Sequence, residues 1–141
     1  MKKIQFSSKI NSPKENVWKT LWNDDSYRKW TAVFSPDSHA ESDWELGSSI
    51  KFLDANGNGI YSIIETKIPF EQMSFKHLGE IKNGVETTTD WAGVMEEYFL
   101  KEKDGITELR MEMDIREEFE SYFTNTFPKA IQLIKEISEK N

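Results

Sequence analysis

Along the first ten residues Ile4, Phe6, Ser8 and Ile10 alternate with Lys3, Gln5, Ser7 and Lys9. That period of two predicts a strand with one buried face. The alternation stops at Asn11-Ser12-Pro13-Lys14-Glu15. Ser12 is placed there to cap a helix, Pro13 suits the first helical position, and Glu15 completes a capping box. Val17, Trp18, Leu21 and Trp22 then recur at helical spacing. A second start signal, Asn23-Asp24-Asp25, precedes a short helical turn ending near Trp30. Ser35–Gly47 is polar and reads as a long excursion with a short strand around Asp43–Glu45.

From Ser48 the pattern is a meander of antiparallel strands. Ser49–Leu53 and Ile60–Lys67 flank a hairpin signal that ends in Asn56-Gly57-Asn58-Gly59. Gln72–Ile81 follows the turn at Pro69-Phe70-Glu71, Asn83-Gly84 marks the next turn, and a strand runs from about Thr89 to Lys101. Asp104-Gly105 leads into Ile106–Ile115, where Leu109, Met111, Met113 and Ile115 face one way and Glu108, Arg110, Glu112 and Asp114 the other. Phe119, Phe123, Phe127, Ala130, Ile131, Ile134 and Ile137 then form a helical stripe. Pro128 inside it should kink the helix, or start its main part with Thr126 as the cap.

Parallel βαβ units are absent, so the class is α+β. The expected architecture is a strongly curved antiparallel sheet of about six or seven strands gripping a long C-terminal helix, with two short helices after the first strand. No repeat or linker divides the chain, and residues 1–141 read as a single domain. A helix covering only part of a concave sheet leaves the remainder as a cavity.

The order of elements resembles the START-like helix-grip superfamily, SRPBCC. Within it, the chain is most similar to domains related to the activator of the heat-shock protein 90 ATPase. The residues carrying the likeness are Val17-Trp18 with Trp30, Asp43-Trp44-Glu45-Leu46-Gly47, Gly57-Asn58-Gly59, and Pro69 followed by Met73-Ser74-Phe75-Lys76-His77. Tyr98-Phe99-Leu100, Asp104-Gly105-Ile106-Thr107-Glu108-Leu109 and Phe127-Pro128-Lys129-Ala130 complete it. The resemblance implies a reusable cup that serves lipid binding, hormone binding, cyclisation or chaperone regulation.

Charge narrows the partners. With 18 Lys+Arg against 25 Asp+Glu the formal net charge is −7, and no run of Lys or Arg exceeds two. A duplex-binding module needs a basic stripe, so nucleic acid is not an expected partner. No apolar run approaches the ~20 residues that span a bilayer, and the N-terminus lacks an apolar signal core, so the chain is read as cytoplasmic with no membrane span. Zero cysteines exclude disulfides and thiol chemistry. With only two histidines there is no basis for a metal centre, and no cofactor is expected.

The aromatic share, 13%, is high for an acidic chain, and such side chains fill a core or line a cavity for an apolar guest. Asp54, Asn56, Asn58, Gly59 and Glu65 match the EF-hand calcium expression. Strands flank them, however, and Glu65 would lie at least ~17 Å along an extended chain from Gly59. A tight turn is the expectation. His39 falls in a polar loop, whereas His77 alternates with Met73 and Phe75 and shares their face. A two-residue turn at Asp104-Gly105 would bring Glu96 inward as its partner, and a one-residue bulge would turn Glu97 and Phe99 inward instead. No Ser-His-Asp arrangement can be argued from the sequence.

The function that follows is a binding module whose cavity holds a hydrophobic or amphipathic small molecule. Trp30, Phe34, Phe75, His77, Glu96, Tyr98, Met111, Met113, Phe123 and Phe127 are its expected lining. One alternative is a chaperone-interaction protein, as the resemblance implies, with Trp44 and the excursion Ser35–Gly47 as the contact. The other is a cyclase- or dehydratase-like enzyme with His77 as acid/base oriented by Glu96, the only candidates for catalytic residues. Binding without catalysis is favoured.

Overall fold

The alternation at the N-terminus forms β1 (Lys2–Ile10), which buries Ile4 and Ile10 and leaves its lysines in water. The computed structural model describes all 141 residues. Two helices follow, α1 (Lys14–Trp22) and α2 (Asp24–Thr31), turning Val17, Leu21, Trp22, Tyr27 and Trp30 inward. The expected capping box does not form, because α1 has no side-chain cap bond. Ser12 Oγ instead accepts from Asn16 Nδ2 at 2.8 Å, and the same amide donates to the Ser138 carbonyl. That amide ties α1 to the C-terminal helix.

The meander comprises β2 (His39–Glu41), β3 (Ser49–Leu53), β4 (Gly59–Ile68), β5 (Gln72–Lys82), β6 (Val85–Thr88), β7 (Met95–Lys103) and β8 (Ile106–Ile115). The short strand expected around Asp43–Glu45 lies at His39–Glu41 instead. Asp43 Oδ1 accepts from the Glu45 N–H at 2.9 Å, closing a local turn that removes those residues from pairing. The strand expected from Thr89 starts at Met95, since Thr89–Val94 forms turns and the Gly93 N–H donates to the His77 carbonyl. The calcium-like segment is a turn, with Asp54 Oδ1 accepting from the backbone of Asn56 and Asn58 at 2.9 and 3.0 Å.

A 3₁₀ turn (Glu117–Phe119) leads into α3 (Glu120–Lys140). This helix runs on through Pro128, so Thr126 is an interior residue and not a cap. Losing one backbone bond at Pro128 is offset by the burial of Phe127, Ala130, Ile131 and Ile134 on the same helix. Phe119, expected on the apolar ridge, is half exposed. No helix is long and apolar enough to cross a membrane.

All pairing is antiparallel, in the order β1-β8-β7-β5-β4-β3-β2, with β6 beside β5, making an eight-stranded curved open sheet. Register places side chains in lateral rows on the face covered by the helices. One row runs Ile64, Phe75, Glu96, Met113, Ile4, and the next Lys67, Met73, Tyr98, Met111, Phe6. Glu96 opposite Met113 is the register of a two-residue turn at Asp104-Gly105, so Glu96 faces inward and Glu97 outward. The class is therefore α+β, a curved antiparallel sheet gripping a long C-terminal helix.

Candidate functional site

Glu96 is a carboxylate in a row of apolar side chains, so its oxygens need partners. The strand neighbours supply them. His77 Nε2 lies 3.0 Å from Glu96 Oε1, and the Tyr98 hydroxyl donates to Oε2 at 2.5 Å. On the far side of the imidazole, Ser62 Oγ stands 2.6 Å from His77 Nδ1. With His77 donating from Nε2 to the carboxylate, Nδ1 accepts the Ser62 proton, and one chain links Ser62, His77, Glu96 and Tyr98.

Local backbone geometry makes this chain possible. Tyr61 pairs with Gly79, but Ser62 pairs with His77, so Leu78 is an extra residue in β5. Ser62 and His77 share the face of Ile64 and Phe75, in a register set by Glu65, an extra residue of β4 between the Thr66–Ser74 and Ile64–Phe75 pairs. Phe52 packs its ring edge-on against His77 with centroids 5.8 Å apart. Burial dominates the electrostatics of the phenols: desolvation, and then the nearby Glu96, push both Tyr98 and Tyr27 well above the ordinary phenol range. Both tyrosines stay protonated, and Tyr98 serves as a donor to Glu96.

The four groups have the connectivity of a Ser-His-acid relay. Ser62, however, is 1% exposed, and it sits on a strand with no sharp turn presenting its hydroxyl. What remains accessible is Glu96, whose side chain keeps 19% exposure. The chain can offer a carboxylate acceptor, held in place from behind, to a hydroxyl or amine arriving beside it.

Around it the remaining expected lining residues pack on one another. Trp30, Phe75, Tyr98, Met111, Met113 and Phe127 belong to one core cluster, with Phe34 and Phe123 partly buried against it. Trp22, which sequence reasoning left outside the set, packs on Tyr98 and Phe75 with centroids at 4.9 and 5.4 Å. Trp30 Nε1 donates to the Leu21 carbonyl at 3.2 Å, fixing its ring. Phe127 stacks on Phe6 at 5.5 Å and meets Phe34 at 4.8 Å and Phe123 at 5.8 Å. That aromatic group covers the row next to Glu96. At its rim the Tyr122 hydroxyl donates to the Phe34 carbonyl at 3.3 Å, latching α3 to the end of α2.

A separate cleft of about 260 Å³ lies among Trp18, Trp22, Asn23, Trp44, Lys67 and Met73. Sequence periodicity gave no sign of it, since it needs the non-repeating Ser42–Gly47 segment to fold back over α1. On the outer sheet face, Ile68, Gln72, Phe99 and Arg110 border a groove of about 440 Å³, with the Arg110 guanidinium over the Phe99 ring at 4.5 Å.

No sequence-family model matches the chain, and no curated protein matches it by sequence. Solved structures do match in shape. The Aha1 dimer from Colwellia psychrerythraea superposes with a TM-score of 0.76 at 20% identity, covering 99% of this chain and 97% of that one. The AHSA1-like protein from Aeromonas hydrophila gives 0.71 at 16% identity, covering 99% and 93%. Protein MLL2253 from Mesorhizobium loti gives 0.77 at 13% identity, covering 99% and 98%. The chain shares the helix-grip fold of these structures.

Proposed function

We propose that the protein is a small-molecule-binding module whose guest is amphipathic, with a hydroxyl or amine head that donates to Glu96. The observation carrying this reading is the Ser62–His77–Glu96–Tyr98 chain, a polar relay in a largely apolar wall in which Glu96 is the accessible group. Buried polar networks are costly unless fully satisfied. A chain that serves stability alone gains nothing over apolar residues of similar volume. The guest's apolar part lies along Met113 and under Phe34 and Phe123, reached when the Tyr122–Phe34 latch opens. The experiment is a panel of long-chain alcohols and amines screened by native mass spectrometry and by quenching of tryptophan emission. Saturable binding that Glu96→Leu weakens is the expected result. An apo mass throughout, with unchanged emission, refutes the reading.

A second reading has its own support. The neighbours named Aha1 and AHSA1-like favour a chaperone contact, for which Leu46, 61% exposed beside Trp44, is the most accessible apolar residue of the Ser35–Gly47 excursion. A pull-down with the bacterial counterpart of heat-shock protein 90 tests it, and absence of enrichment removes it.

A further inference from the structure

The cleft beside α1 carries features that packing does not explain. Trp44 holds a left-handed backbone, φ +64°, which strains a bulky side chain. Two bonds fix it there: Lys67 Nζ donates to the Trp44 carbonyl at 2.7 Å, and the Trp44 N–H donates to Ser42 Oγ at 3.0 Å. The result sets Trp44 across the cleft from α1, its ring centroid 5.7 Å from that of Trp22. Trp18 adds a third indole, 6.2 Å from Trp22. Trp22 itself is only 8% exposed, and its indole N–H is buried with no acceptor within reach. A buried donor left unpaired costs about 1–3 kcal/mol.

Lys67 is the charged group of the lining. It reaches this face because Glu65 is an extra residue in β4, which shifts Lys67 into line with Met73 and Tyr98. One of its N–H bonds goes to Trp44, leaving donors to spare. The neighbouring Asp43 carboxylate is turned onto the Glu45 N–H, 2.9 Å away. Flat indole walls, one orphan donor and one ammonium select a flat anion. A cation would be repelled by Lys67, and an aliphatic chain would leave both donors unused.

We propose that this cleft binds a small planar aromatic carboxylate, its ring against Trp18 and Trp44 and its carboxylate on the Lys67 ammonium, with the Trp22 ring turning to bring its buried indole N–H to the same group. The site is independent of Glu96, and the volume suits a mono- or bicyclic acid. Loss of one charged hydrogen bond corresponds to about a tenfold to hundredfold drop in affinity.

The test titrates 1-naphthoate into ¹⁵N-labelled protein and follows the tryptophan indole N–H signals, with that of Trp22 identified by its disappearance in Trp22→Phe. The Trp22 signal should move saturably, while that of Trp30, already bonded to the Leu21 carbonyl, stays in place. Lys67→Met should weaken 1-naphthoate binding by about tenfold or more, with Lys67→Arg largely restoring it. Binding of the uncharged 1-naphthalenemethanol should change little in either variant. Glu96→Gln should leave 1-naphthoate binding intact. A Trp22 signal that does not move at millimolar 1-naphthoate overturns the proposal. So does equal affinity in Lys67→Met, or loss of 1-naphthoate binding in Glu96→Gln, which would place the acid at the Glu96 chain instead.

Discussion

Ser62 faces His77 across the β4–β5 ladder, Oγ to Nδ1 at 2.6 Å, because the extra residue Glu65 in β4 sets the register Ile64–Phe75, Ile63–Lys76, Ser62–His77. Counted from the Ile68–Gln72 pair without that bulge, Ile63 would stand opposite His77 in place of Ser62. A single inserted residue thus assembles the polar chain. Its far end is closed by Tyr98, so every group in it has a partner.

Removing the shared acceptor should be costly. Glu96→Ala orphans the His77 Nε2–H and the Tyr98 hydroxyl together, each at about 1–3 kcal/mol. A combined loss of about 2–5 kcal/mol is expected by urea denaturation. Tyr98→Phe alone should cost about 0.5–1.5 kcal/mol, the ordinary worth of one hydrogen bond. Combined with Glu96→Ala it should add less than that, because the partner is already gone. Full additivity would mean that Glu96 and Tyr98 act separately.

The two halves of α3 should respond differently to truncation. Ile134 is 1% exposed, whereas Phe123 is only partly buried. Ile134→Ala should cost about 2–5 kcal/mol as a cavity-forming change. Phe123→Ala should cost less stability and alter guest binding more. Equal destabilisation with unchanged binding would remove Phe123 from the guest's path.

Alkali should expose the buried phenols only through unfolding. Tyr27 and Tyr98 have folded pKa values raised first by desolvation and then by Glu96. A raised folded pKa favours the protonated form, so this stability is complete below the ordinary phenol value near ~10 and declines as pH rises past it. Tyrosinate absorbance followed with circular dichroism should show these two ionising together with loss of structure. Their ionisation in a fully folded chain would contradict the burial argument.

At the other end of the pH range, Glu139 joins α3 to the end of β1. Its carboxylate accepts from Lys135 Nζ at 2.7 Å and from the Asn11 N–H at 2.8 Å, and Lys135 Nζ also reaches the Lys9 carbonyl. Those two bonds to the carboxylate, Lys135 first, hold its pKa below the ordinary glutamate value. A lowered folded pKa means that the contribution is present above the unfolded value and fades as pH falls through the folded one. Glu139→Gln should lower the urea midpoint at neutral pH, and the gap from the parent chain should close in acid. A gap independent of pH would show that charge plays no part.

Legibility in the sequence followed regularity. The alternation of Leu109, Met111, Met113 and Ile115 is buried as its period of two required, and the α3 stripe packs through Phe127, Ala130, Ile131 and Ile134. The shared face of Phe75 and His77 could be named because strands repeat, whereas Glu96 against Glu97 hung on the register at Asp104-Gly105. Ser62 could not be paired with His77, since the bulge at Glu65 that sets their register leaves no periodic trace. The same bulge hid Lys67. The turn at Asp43 and the left-handed Trp44 fall where no period exists, and there the strand assignment missed. Phe119 kept helical spacing but lies in the 3₁₀ turn before α3, outside the packed face.

The most direct measurement of the central claim uses ¹³C-methyl methionine spectra of the protein titrated with 1-decanol. Met113 stands directly opposite Glu96 across the β7–β8 ladder, whereas Met73 lies in the next row and borders the Trp44 cleft. A guest seated on Glu96 shifts the Met113 methyl saturably, perturbs Met73 far less, and loses about tenfold in affinity in Glu96→Leu. Methionine signals that stay fixed through saturation of the alcohol, or a Met113 shift that Glu96→Leu leaves unchanged, would contradict a binding site built on the Ser62–His77–Glu96–Tyr98 chain.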